Sequence, residues 1–121
     1  MTTGGVPKQW IKDYNEVLKT PKWNWCETIV YNDILFEHGE GGQARTKAKN
    51  NMMSSVCGHT HTEAYVIWHV GKKFKIFSMQ VGCGVDASSY AANYARAFKK
   101  QAIGCGVILG NHTAFNSLME L

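Results

Sequence analysis

The sequence predicts a mixed α/β fold, a mixed β-sheet with flanking helices. Three observations carry that reading. Short apolar, β-branched runs recur along the chain, helical periodicity appears between them, and glycine or Asn-Asp turn signals separate the runs. The chain has 121 residues, 45 % of them hydrophobic and 18 % charged. That is the composition of a globular domain able to bury roughly two thirds of its unfolded surface. No linker, repeat or low-complexity tract divides it, so residues 1–121 are read as a single domain.

The elements follow in order. Pro7 suits the first turn of a helix, and Trp10, Tyr14, Val17 and Leu18 repeat at helical spacing, predicting a helix over 7–19 whose aromatic stripe packs on the sheet. Residues 25–31 and 34–36 read as two strands of a hairpin closed by Asn32-Asp33, with His38 just past the second strand. A glycine-rich loop covers 39–42, a basic surface helix 43–51, and a short buried strand 52–57. Residues 63–70 and 73–79 read as strands joined by the two-residue turn Gly71-Lys72. A glycine-rich connector at 81–85 leads to a helix over 88–101, where Tyr90, Tyr94, Ala97 and Phe98 share a face. A buried strand at 107–109 and a strand in 115–121 complete the chain.

Several function classes are excluded or left without support. No apolar run approaches the ~18 residues that span a bilayer. The N-terminal residues lack the basic-then-apolar pattern of a signal peptide, so a cytoplasmic protein without membrane partners is expected. The four cysteines, Cys26, Cys57, Cys83 and Cys105, include no CxxC pair, which rules out a CxxC zinc clasp and leaves them as small buried apolar residues. No phosphate-binding P-loop, dinucleotide-binding glycine signature or Ser-His-Asp order is present. The net charge of +4 suits a phosphate-bearing substrate or nucleic acid.

The sharpest pattern is Val56-Cys57-Gly58-His59-Thr60-His61. A short apolar strand ends at a glycine that permits a tight bend, and two imidazoles follow at i and i+2. Ile34-Leu35-Phe36-Glu37-His38-Gly39 repeats the device: apolar strand, histidine, glycine. Strand ends that open into loops are where α/β sheets place their sites, and neutral imidazole binds zinc, iron, nickel or manganese. His38, His59 and His61 are therefore the candidate ligands of a divalent transition metal.

The HG segment followed some 20 residues later by GHTH resembles the C-terminal half of the calcineurin-like metallophosphoesterases, of the bacterial and phage type. The resemblance covers residues 7–109 and extends to the GCGVD turn and the tyrosines of SSYAANYA. It implies half of an αββα sandwich and hydrolysis of phosphomono- or phosphodiesters, including those of a nucleotide or nucleic acid, at a binuclear metal centre. It assigns His38 and His59 to one metal and His61 to the other, with Gly39 and Gly58 as loop glycines letting the backbone come close. The earlier family motifs DxH, GDxxD and GNH, which supply carboxylate and amide ligands, are absent upstream. Two dications, about +4 of charge, would then face three neutral imidazoles and no protein anion. The resemblance thus implies a second polypeptide carrying the N-terminal half-site, or a homodimer.

Other residues are weighed against ordinary roles. Gly110-Asn111-His112 spells GNH at the wrong end of the chain, with Thr113 where an acid belongs. His112 becomes catalytic only if the fold brings that segment round; otherwise Asn111 is a turn residue. Glu40 is a possible second carboxylate partner orienting His38, or a solvated loop acid. Arg45, beside Lys47 and Lys49, is a possible phosphate contact, or part of a solvated helix face. His69 reads as structural, and the tryptophans as core or interface residues. Two other functions remain open: a non-catalytic metal- or protein-binding regulator of the kind phages encode, and a nucleic-acid-binding module.

Overall fold

Strands form at most of the apolar runs that the sequence marks. The computed structural model describes residues 12–39, 42–85 and 101–120. A five-stranded mixed sheet runs β1-β2-β3-β5-β4, and a separate two-stranded sheet pairs β6 with β7. The strands are β1 (Thr28–Tyr31), β2 (Ile34–Glu37), β3 (Ser54–Cys57), β4 (Tyr65–Val70), β5 (Lys75–Gln80), β6 (Gly104–Ile108) and β7 (Ala114–Leu118). Among the described residues two helices, α1 (Tyr14–Leu18) and α2 (Ala44–Asn51), accompany them. The predicted α/β class, a mixed sheet with helices, is what the chain forms.

Asn32 and Asp33 both take positive φ (51° and 58°), the turn geometry whose twist matches a tight hairpin between β1 and β2. A parallel pair needs a crossover connection, and α2 supplies it between β2 and β3. Ala44 and Ala48, one turn apart, are fully buried, and their small side chains let α2 sit close on β3 and β5. β3 also runs parallel to β5, so three parallel strands form the centre, and β1 and β4 are the antiparallel edges. The core is Ile34, Phe77, Met79 and Ala114, with Phe36, Val56, Val66, Val81 and Ile108 packed around it.

The structure departs from expectation at several elements. Residues 7–11 of the expected first helix lie outside the described residues; the described part, α1, ends at Lys19 in the left-handed conformation. No residue of α1 is buried, so its stripe does not pack on the sheet. Tyr14 instead stacks on Trp25 at 5.3 Å, and the Trp25 indole donates to Asn15 and Thr20. Those bonds hold Trp25 against α1, and β1 consequently begins at Thr28.

The β4–β5 turn spans four residues, not two: Gly71 N–H donates to the Phe74 carbonyl at 2.9 Å. A Cβ on Gly71 would stand 2.4 Å from the Phe74 ring, so the ring folds over the turn only because residue 71 is glycine. The strand expected as buried at 107–109 is β6, mostly half-exposed or exposed, because its sheet has only two strands. The helix expected over 88–101 falls almost wholly on 86–100, outside the described residues. Cys57 and Cys83 are buried as expected, but Cys26 and Cys105 are exposed. Among the described residues no helix is long and apolar enough to cross a membrane.

Candidate metal centre

The three central strands end level. Glu37 pairs with Cys57, and Cys57 with Gln80, as one row across β2, β3 and β5. The next residues, His38, Gly58 and Val81, therefore lie side by side at the carboxyl edge of the parallel strands, where such sheets hold ligands. Val81 N–H donates to the Cys57 carbonyl at 2.9 Å, which fixes the row. Gly39 has φ of 102°, and a Cβ there would lie 3.2 Å from the Gly58 carbonyl oxygen. The two histidine loops can meet because residue 39 is glycine.

The loops deliver two imidazoles to one point. His59 Nδ1 lies 3.1 Å from His38 Nε2, and the rings stand edge to face with centroids 5.0 Å apart. His59 itself takes φ of 69°, uncommon for a residue with a side chain. Two ring nitrogens at that separation share one proton when nothing else binds. They also fit one cation: imidazole nitrogens bind at about 2.1 Å, and a 3.1 Å spacing then makes an angle near 95°, the adjacent-ligand angle of octahedral coordination.

The remaining predicted residues are placed differently. His61 is exposed, and its backbone carbonyl accepts from Ala102 N–H at 2.8 Å. Among the described residues no three His, Cys, Asp or Glu side chains are grouped to hold an ion, so His61 does not stand with the pair. Gly58 adjoins His38, as expected of a site glycine. Glu40 lies outside the described residues. Arg45 is exposed on the first turn of α2. His112 follows β6, in the loop that closes the second sheet beside Trp68 and Lys75, where β5 begins. The histidine pair lies past the other end of β5, about 16 Å away along the strand. His69 bonds Ser78 within the sheet.

Two carboxylates, Glu27 and Glu37, line the cleft that His38 lines. Glu37 is engaged elsewhere. It pairs with the Lys47 ammonium at 3.0 Å and accepts from the Cys57 thiol at 3.7 Å. A cleft of about 310 Å³ opens beside His38, walled by Thr28, Ile29, Phe36, Val56 and Val81.

Sequence reasoning missed the residue that holds this edge together. Gln80 is fully buried; its amide donates to the Gly58 carbonyl, and its carbonyl accepts from Ala44 N–H at 3.3 Å. It thereby ties the histidine loop to the first turn of α2, where Gln43 provides no side-chain cap. The signal in the sequence was slight: a polar residue after Met79 at the end of β5.

Burial pushes the Cys57 thiol up to about 11, with the Glu37 charge and hydrogen bond adding and Lys47 opposing. A pKa raised by folding stabilises fully below the unfolded value of 9.0, and that share is lost as pH rises towards about 11. Cys57→Ala is expected to flatten the alkaline fall in stability, read by urea unfolding across that range. At neutral pH a thiol reagent is expected to modify Cys26 and Cys105 in the folded protein, and Cys57 only on unfolding. Rapid native-state modification of Cys57 would contradict this.

Comparison of the chain with known protein families, curated proteins and solved structures finds no match.

Proposed function

We propose that the chain supplies one half of a metal-dependent phosphoesterase site, through which phosphomono- or phosphodiesters are hydrolysed. The observation that carries this reading is the 3.1 Å approach of the His38 and His59 nitrogens at the carboxyl edge of three parallel strands. It agrees with the resemblance of HG and GHTH to the metallophosphoesterases. A divalent transition metal, manganese, zinc, iron or nickel, would be held by His38 and His59, with the remaining donors supplied by the partner. The metal supplies charge neutralisation at the phosphoryl oxygens and a lowered pKa for water. The chain's own histidines hold and orient it, Gln80 fixes the loop that carries His59, and Arg45 meets the substrate phosphate.

In this reading the carboxylates come from a second polypeptide or a second copy, since among the described residues none is grouped with the pair. Every residue of β1 is exposed, Tyr31 by 71 %, and this edge strand presents Ile29 and Val30 to solvent. Trp23 and Trp25 continue the apolar surface. An edge of that kind invites another chain. Among the described residues no Asp or Glu is grouped with the pair to hold an ion, and this favours the second reading, a non-catalytic metal- or protein-binding regulator.

The test is hydrolysis of bis(4-nitrophenyl) phosphate with added manganese, across sizing-column fractions. The proposal expects activity in a dimeric or complexed fraction, removed by His38→Ala. Metal-bound protein inactive in every fraction selects the regulator reading. Activity indifferent to metal and to His38→Ala overturns the proposal.

A further inference from the structure

A second cleft, of about 450 Å³, lies at the opposite end of β5 from the histidine pair, between Trp68, Lys75 and the loop Gly110-Asn111-His112-Thr113. A volume of that order accommodates a small organic ligand. No carboxylate is among the residues that line it. The Lys75 ammonium rests 4.4 Å from the centre of the Trp68 ring, and no ion pair to a carboxylate holds it among the described residues. The indole is braced by Phe77, edge to face at 5.3 Å, and Phe77 is fully buried. The wall is therefore a fixed aromatic surface carrying a cation.

The facing loop is preformed. Leu109 N–H donates to the Thr113 carbonyl and His112 N–H to the Leu109 carbonyl, both at 2.9 Å. The Asn111 side-chain oxygen accepts from Thr113 N–H at 3.1 Å. That bond occupies the acceptor of Asn111 and leaves its NH₂ group as a donor. Lys75, Asn111, His112 and Thr113 thus line one cleft with the aromatic wall, one cation among three residues that carry polar side chains.

We propose that this cleft binds a nucleoside monophosphate. The phosphate lies against Lys75, Asn111 and His112, and the base lies along the exposed indole of Trp68. Donors without a competing carboxylate select the anion, and charge-assisted bonds to phosphate are the strong ones. The flat wall selects the ring, since stacking tolerates any base. This site needs no metal and is independent of the histidine pair.

The test is titration of the metal-free chain, in EDTA, with adenosine 5′-monophosphate, followed by two-dimensional amide and indole NMR. The expected shifts are in the Trp68 indole N–H and in residues 110–113, with adenosine alone and inorganic phosphate alone each binding more weakly. Lys75→Gln is expected to weaken binding about tenfold. Gly110→Phe adds a large ring to the loop that lines the cleft, at a position where the Cβ meets nothing within 4 Å. His59→Ala leaves the affinity unchanged. Shifts confined to the His38 and His59 loops, or binding that survives both Lys75→Gln and Gly110→Phe, overturn the assignment. So does inorganic phosphate binding as tightly as the nucleotide.

Discussion

Gln80→Met is expected to destabilise the fold by about 2 kcal/mol and to release the histidine pair. Methionine fills nearly the same volume, so packing is largely kept. What is lost is a donor to the Gly58 carbonyl and an acceptor for Ala44 N–H. The Gly58 carbonyl keeps Thr60 N–H as a donor at 2.9 Å, but Ala44 N–H is left facing a fully buried side chain without its acceptor. A buried backbone group stranded in this way costs about 1–3 kcal/mol. The loss falls on α2 and on the loop after β3 together. Urea unfolding measures the stability, and the His59 imidazole resonances report the loop. A variant as stable as the parent, with unchanged His59 signals, would remove Gln80 from its place in the account.

Phe77→Ala is expected to cost about 3–5 kcal/mol, the range for emptying a large aromatic site in a core. Phe77 is fully buried in a core of four buried apolar side chains, so little surrounds it that can collapse into the space. Its ring also braces Trp68, and its amide donates to the Ser54 hydroxyl at 3.1 Å. The variant should lose both the cooperative unfolding transition and the fixed environment of the Trp68 indole. Chemical denaturation followed by tryptophan fluorescence checks the first, and the indole N–H resonance the second. A loss below about 1 kcal/mol would mean that the core lies elsewhere.

Much of the strand placement was legible because apolar runs and turn chemistry agree. Asn32-Asp33 has one common use between two apolar runs, and the chain makes that hairpin. Basic residues at helical spacing between two strands gave α2. The burial of α1 was not legible, because periodicity reports which side chains share a face, not what that face meets. Here Trp25 meets Tyr14, and the sheet does not. The Gly71-Lys72 turn slipped because local turn rules do not see the Phe74 ring folding over Gly71.

The site was legible in part for the same reason. Strand-His-Gly and Gly-His are local patterns, and parallel pairing of β2 with β3 brings their ends together. The place of His61 depends on a loop whose path the pattern does not set. Gln80, distant from both motifs in sequence, acts through tertiary contacts that no spacing reveals.

The central claim is that His38 and His59 hold a transition metal together. The most direct measurement is zinc and manganese binding to the chain by calorimetry with elemental analysis, repeated on His38→Ala and His59→Ala. The account predicts about one ion per chain, with affinity reduced at least about tenfold in each variant while the fold survives. Binding of equal strength in the parent and both variants, or none in any of them, would contradict it.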